Sequence, residues 1–103
     1  MNIGALLTKS ARLFPNRIAL VCGDRALSYA KFNSRVNQLA NVLRRLGVRK
    51  KDNVALLQYN CPETLESLYA CFKAGCAVVP INWRLHPKEF AFIINHSNAK
   101  VVI

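Results

Sequence analysis

Phe32, Val36, Leu39, Ala40, Leu43 and Leu46 recur at the 3.6-residue helical period, while Lys31, Ser34, Arg35, Asn41, Arg44 and Arg45 lie mostly off that stripe. The pattern predicts a long amphipathic helix. Ser28 is placed to cap its start, and Gly47 supplies a left-handed residue after its last turn. Upstream, Ile3, Leu6, Leu7, Leu13 and Phe14 recur at helical spacing until Pro15 stops the run. Residues 17–22 and 25–29 are two short runs around Gly23-Asp24, which reads as a β-hairpin because glycine supplies the positive φ of a tight turn.

Downstream the pattern changes to apolar strands separated by helices. Residues 53–57 form a short strand, and Pro62 opens a helix whose expected buried face is Leu65, Leu68, Tyr69 and Phe72. Glu63 and Glu66 favour the positive end of that helix, and Gly75 closes it. Residues 77–80 are a second strand. Pro87 opens another helix, with His86 as its cap and Phe90, Ile93 and Ile94 inward; His96, Ser97 and Asn98 end it. Val101, Val102 and Ile103 begin a further strand. Strand, helix, strand, helix, strand predicts right-handed crossovers and a parallel sheet covered on both faces. The expected fold class is therefore α/β: an N-terminal helix and β-hairpin followed by part of a parallel sheet, with residues 1–103 as one unit and no internal repeat.

Composition narrows the function classes. A hydrophobic fraction of 52% excludes a disordered chain. Fifteen Lys and Arg against five Asp and Glu give a net charge of +10, which attracts polyanions. The cations are dispersed, with the densest clusters at Arg44-Arg45 and Arg49-Lys50-Lys51. A small basic module binding nucleic acid or an anionic surface is therefore one reading, and peripheral membrane contact goes with it. Exposed aromatics interleaved with the cations would mark a nucleic-acid binder. Most aromatics here fall on expected core faces, Trp83 being the main uncertain one, so no specific nucleic-acid partner is expected. Lys9, Arg12 and Arg17, with no acid before Asp24, mimic a transit peptide, but the segment reads more simply as an amphipathic helix. Cys22, Cys61, Cys71 and Cys76 show no CxxC pair. Cys22, Cys71 and Cys76 sit in apolar surroundings, as buried free thiols do. Reduced thiols and a cytoplasmic location are the expectation.

Candidate chemistry is sparse. The four glycines, at 4, 23, 47 and 75, are isolated, so no phosphate-cradling loop is present in these residues. Glu63 and Glu66 read as helix-start residues, His86 as a cap, and Cys71 and Cys76 as buried thiols. No catalytic residue and no metal site are assigned. One stretch stands apart: Pro80, Ile81, Asn82, Trp83, Arg84 and Leu85 follow a buried strand at its C-terminal end, the edge where parallel α/β sheets bind ligands. It brings together an amide, an indole and a guanidinium, and arginine suits bidentate phosphate recognition. The alternative is a turn-forming Asn82, a packing Trp83 and a solvated Arg84.

Ala26, Leu27, Ser28 and Tyr29, then Asn37, Gln38, Leu39 and Ala40, then residues 43–48, then Asp52, Asn53, Val54 and Ala55 resemble the start of the adenylate-forming (AMP-binding) acyl-CoA synthetases. Asn60, residues 68–70, 73–75 and 79–82, Arg84-Leu85, Glu89-Phe90 and residues 98–100 continue the resemblance in order, from about Phe14 to Ile103. The style is similar to the fatty-acyl and aryl branches. The resemblance implies ATP- and Mg²⁺-dependent activation of a carboxylic acid to an acyl-adenylate, then transfer of the acyl group to CoA. It also implies that the phosphate loop, the adenine and ribose motifs and the C-terminal domain lie beyond residues 1–103. The segment by itself is then an inactive fragment, with no cofactor of its own and a tendency to self-associate. In some CoA ligases of the family the arginine of the Asn-x-Arg-Leu stretch lies near the CoA phosphates, which carries to Arg84 as a tentative CoA-phosphate residue. Two positions depart from the pattern. Lys31 stands where Glu is frequent, which removes a capping box and costs about 0.5–1 kcal/mol. Lys51 replaces the usual Gly before Asp52.

Overall fold

The computed structural model describes residues 3–57, 62–81, 84 and 86–103. Its centre is helix α2 (Tyr29–Arg45), which buries Phe32, Val36, Ala40 and Leu43 as one face. The Ser28 hydroxyl accepts from the Lys31 N–H at 3.2 Å, so half of a capping box survives the missing glutamate. Gly47, at φ 88°, takes the left-handed position after the helix. Helix α1 (Ile3–Leu13) precedes the hairpin of β1 (Ile18–Cys22) and β2 (Arg25–Ser28), which pair antiparallel across Gly23 at φ 59°.

Strand β3 (Asn53–Leu56) is the middle of a three-stranded sheet in the order β4-β3-β5, with β4 (Ala77–Pro80) and β5 (Val101–Val102) both parallel to it. Val54 and Ala55 of β3 are fully buried. A parallel strand pair needs a crossover, supplied by helix α3 (Pro62–Ala74) between β3 and β4 and by helix α4 (Pro87–Ser97) between β4 and β5. Helices α1, α2 and α3 pack on one another and, with β1 and β3, enclose a core built around Val36, Leu43, Val54 and Cys71.

Three local expectations change. The buried face of α3 is Pro62, Glu66, Ser67, Ala70 and Cys71, whereas Leu65 is exposed and Leu68, Tyr69 and Phe72 are half-buried. Small residues let α3 approach α2 closely, and the larger apolar ones flank that seam; Phe32 and Tyr69 meet edge-on across it at 5.7 Å between ring centres. Helix α4 buries no residue: Phe90, Ile93 and Ile94 are half-covered, so this second layer over the sheet is thin. Cys22 is exposed at the end of β1, while Cys71 and Cys76 are buried. Cys61 lies outside the described residues.

Lys51 explains its own oddity. It adopts φ 71°, in a turn where Asp52 N–H donates to Arg49 C=O at 3.1 Å and Lys51 N–H donates to Gly75 C=O at 3.0 Å. A β-carbon in the left-handed region costs about 1–2 kcal/mol, partly offset by the greater freedom glycine has when unfolded. Lys51→Gly is therefore expected to stabilise the protein by about 0.5–1 kcal/mol, read as a higher urea midpoint at unchanged slope. An unchanged or lower midpoint would show that the exposed lysine side chain offsets the backbone strain.

Candidate functional site

In a parallel sheet the strand C-termini share one edge, and here that edge is closely registered. Ile81 N–H donates to Leu56 C=O at 2.8 Å, Ile103 N–H to Ala55 C=O at 2.9 Å, and Leu57 N–H to Ile103 C=O at 3.0 Å. Arg84 follows three residues beyond buried Ile81, in an exposed turn that leads into α4. Asn82, Trp83 and Leu85, the rest of the stretch singled out above, and Asn60 near the end of β3 lie outside the described residues. His86 is a cap, as expected: its Nδ1 accepts from the Lys88 N–H at 3.2 Å.

Several other charged residues tie elements of the scaffold together. Glu63 takes Arg25 of the hairpin at 2.7 Å. Buried Glu66 takes the Arg35 guanidinium through both oxygens, one of them at 3.3 Å from Nη2. Both guanidiniums are held above the usual arginine range, first by these hydrogen bonds. At the other end of α3, the Lys73 ammonium donates to the side-chain carbonyls of Asn33 and of Asn37, the latter at 2.6 Å, and burial holds its pKa below the ordinary lysine value. Charge-assisted bonds thus tie the first half of α2 to two points along α3. Asn37 and Lys73 come from two separate pieces of the resemblance, and nothing in their spacing foretold that they meet. Asp52 is a similar case. It accepts from the Arg49 N–H at 2.7 Å and faces Lys100 at 3.6 Å, and the Arg49 bond in particular holds its carboxyl below the usual range. Burial pushes the Cys71 thiol up to about 12, which leaves it a packing group rather than a nucleophile.

These residues make a scaffold, and Arg84 lies exposed a few residues beyond a strand of its sheet. The AMP-binding enzyme family model matches residues 7–103. The chain belongs to the AMP-binding enzymes. This AMP-binding segment is 43% identical over 102 residues to a feruloyl-CoA synthase from Amycolatopsis, covering 99% of the chain and 21% of that protein. It is 39% identical over 97 residues to 4-hydroxybutyrate–CoA ligase 2 of Metallosphaera sedula, covering 94% of the chain and 18% of that protein. Its fold superposes on the N-terminal domain of FACL13 from Mycobacterium tuberculosis with a TM-score of 0.93 and 40% identity, covering 99% of the chain and 26% of that domain. The chain therefore spans about a fifth of the length of the curated relatives it matches. Within that share, the α/β arrangement is the one found in the N-terminal domains of these enzymes.

Proposed function

We propose that these 103 residues form the opening scaffold of an ATP-dependent carboxylate–CoA ligase acting on a fatty or aryl acid. The observation that carries this reading is the match to the family over residues 7–103, with relatives named for CoA ligation of hydroxy, aryl and fatty acids. In the reaction, ATP activates the carboxylate as acyl-adenylate with release of pyrophosphate, and the CoA thiol then displaces AMP. The Mg²⁺-ATP of the first step is assigned to the phosphate loop and nucleotide motifs that the family resemblance places outside residues 1–103. The contribution assigned to this segment is Arg84, as a donor to the phosphates of CoA. An exposed guanidinium just past the C-terminal edge of a parallel sheet has the position and the paired N–H donors for that task. Among the described residues β4 and β5 each pair on one side only, which favours self-association of the segment by itself.

The basic-module reading has little support in the fold. Phe32 is buried and Tyr69 meets both Phe32 and Phe72 edge-on, so these three rings pack against one another instead of offering open faces for stacking bases. No helix among the described residues is long and apolar enough to cross a membrane.

Carboxylate-dependent exchange between labelled pyrophosphate and ATP tests the reading. The complete enzyme carrying this segment is expected to support exchange and, with CoA, to form thioester from a fatty or aryl acid, whereas the 103-residue segment supports neither. Exchange by the segment would overturn its scaffold role. A complete enzyme that forms adenylate but never thioester would overturn the CoA-ligase assignment.

A further inference from the structure

Helix α4 buries no residue, but its two sides differ. Phe90, Ile93 and Ile94 are half-covered on one side. At about 100° per residue, the opposite direction runs through Lys88 and Phe92, with Asn95 and His96 to either side. All four are exposed. Phe92 is 67% exposed, more than any other large apolar side chain among the described residues. Its ring lies within 7° of parallel to that of His96, with the ring centres 5.6 Å apart. Two flat rings one helical turn apart thus form an open aromatic plate. Lys88 precedes Phe92 by one turn, about 6 Å along the axis. Arg84 lies two residues ahead of the His86 cap. Glu89, the acid of this turn, lies about 100° round the helix from Lys88.

An apolar cover for Phe92, whether more polypeptide or a second copy, would have to take Lys88, Asn95 and His96 with it. That is costly unless each finds a partner. A purine nucleotide satisfies the whole stripe. Its base stacks on the plate, as bases do on aromatic side chains. Its phosphates meet the cations toward the start of the helix. We propose that Phe92, supported by His96, is the platform for the adenine ring of CoA, and that Lys88 joins Arg84 in holding the phosphates. CoA carries phosphate on both sides of its ribose, so two cations ahead of one plate match a single molecule of it. The inference rests on the ligase reading, which supplies CoA as the nucleotide. The plate touches a part of CoA remote from the reacting thiol, so it binds ground and transition states equally.

Thioester formation by the complete enzyme is the test, with CoA and with 4′-phosphopantetheine, which lacks the adenosine. Phe92→Ala is expected to raise the Michaelis constant for CoA about five- to tenfold, the lower end of base stacking, because one ring face is available. The turnover number, the constant for phosphopantetheine and pyrophosphate exchange should stay as in the parent. Phe92→Trp should bind CoA at least as well as the parent. Lys88→Gln should raise the CoA constant by up to about fivefold, as loss of an exposed ion pair does. These variants should keep the parent's unfolding midpoint, since both side chains are exposed. A readout without turnover is the fluorescence of the Phe92→Trp protein. Adenosine 3′,5′-bisphosphate should quench it beyond any quenching in the parent. An unchanged CoA constant in Phe92→Ala, or an equal rise with phosphopantetheine, would overturn the proposal. So would a lowered unfolding midpoint in Phe92→Ala, which would show the ring covered by protein. Oligo(dA) quenching at lower concentration than the bisphosphate would assign the stripe to single-stranded nucleic acid instead. If the parent forms no thioester at all, the ligase reading fails, and the quenching by itself decides the platform.

Discussion

Replacing Arg84 by alanine in the complete enzyme is expected to weaken thioester formation about 10- to 150-fold while leaving adenylate formation intact. The residue is exposed just beyond the C-terminal edge of the parallel sheet, after the short segment that leaves β4. A hydrogen bond to a charged group is worth about 1.5–3 kcal/mol. At about 1.4 kcal/mol per decade, that range gives the stated factor. The loss should fall mainly on the Michaelis constant for CoA, because a nucleotide phosphate is remote from the reacting thiol and its contact is made equally in ground and transition states. Arg84→Lys should recover only part of it, since a point charge cannot reproduce the paired N–H fork. Pyrophosphate exchange and thioester formation, measured on the same preparations, separate the outcomes. An equal fall in both would make Arg84 a structural residue. No change in either would leave it as solvated surface with no part in CoA binding.

The second large effect is on stability. Leu43→Ala is expected to cost about 2–5 kcal/mol, against a total of about 5–15 kcal/mol for a domain. Leu43 is 1% exposed in the centre of the α2 face, where Val36 and Val54 are fully buried. Truncation leaves a cavity that rigid helices on either side cannot collapse to fill. Leu46→Ala is the control. It lies on the same helical stripe but is 58% exposed, so its loss should stay within about 0.5 kcal/mol. Urea unfolding of both variants of the 103-residue chain decides the matter. Equal losses would mean that Leu46 is covered in solution, by a second copy of the chain.

Leu43 and Leu46 also mark how far the pattern of the chain reaches. Periodicity located α2, its Ser28 cap and its Gly47 stop, because these are local properties of the backbone and its first neighbours. The hairpin about Gly23, the alternation of strands and helices from Asn53 and the His86 cap were legible for the same reason. The departure at Lys51 was legible too, as a lysine in place of glycine, but its physical meaning is a φ of 71° that only the folded turn reveals.

Which apolar residues are core is a different kind of fact. Leu65 and Phe72 have the hydrophobicity of core residues, yet α3 turns Ser67, Ala70 and Cys71 toward its neighbours, because small side chains permit close helix packing. Cys22 looks as apolar in its surroundings as Cys71 and ends exposed, because β1 is presented to solvent on that side. Glu66 looked like a helix-start charge and is buried, since Arg35 of α2 reaches it. Asn33 and Asn37 meet Lys73 across more than thirty residues of chain, a pairing set by how α2 lies on α3. By itself, then, the chain determined its elements, their α/β class and the family resemblance. Tertiary structure alone decided which faces those elements bury, which charges find partners and which leucines remain on the outside, because each of those depends on a neighbour distant in sequence.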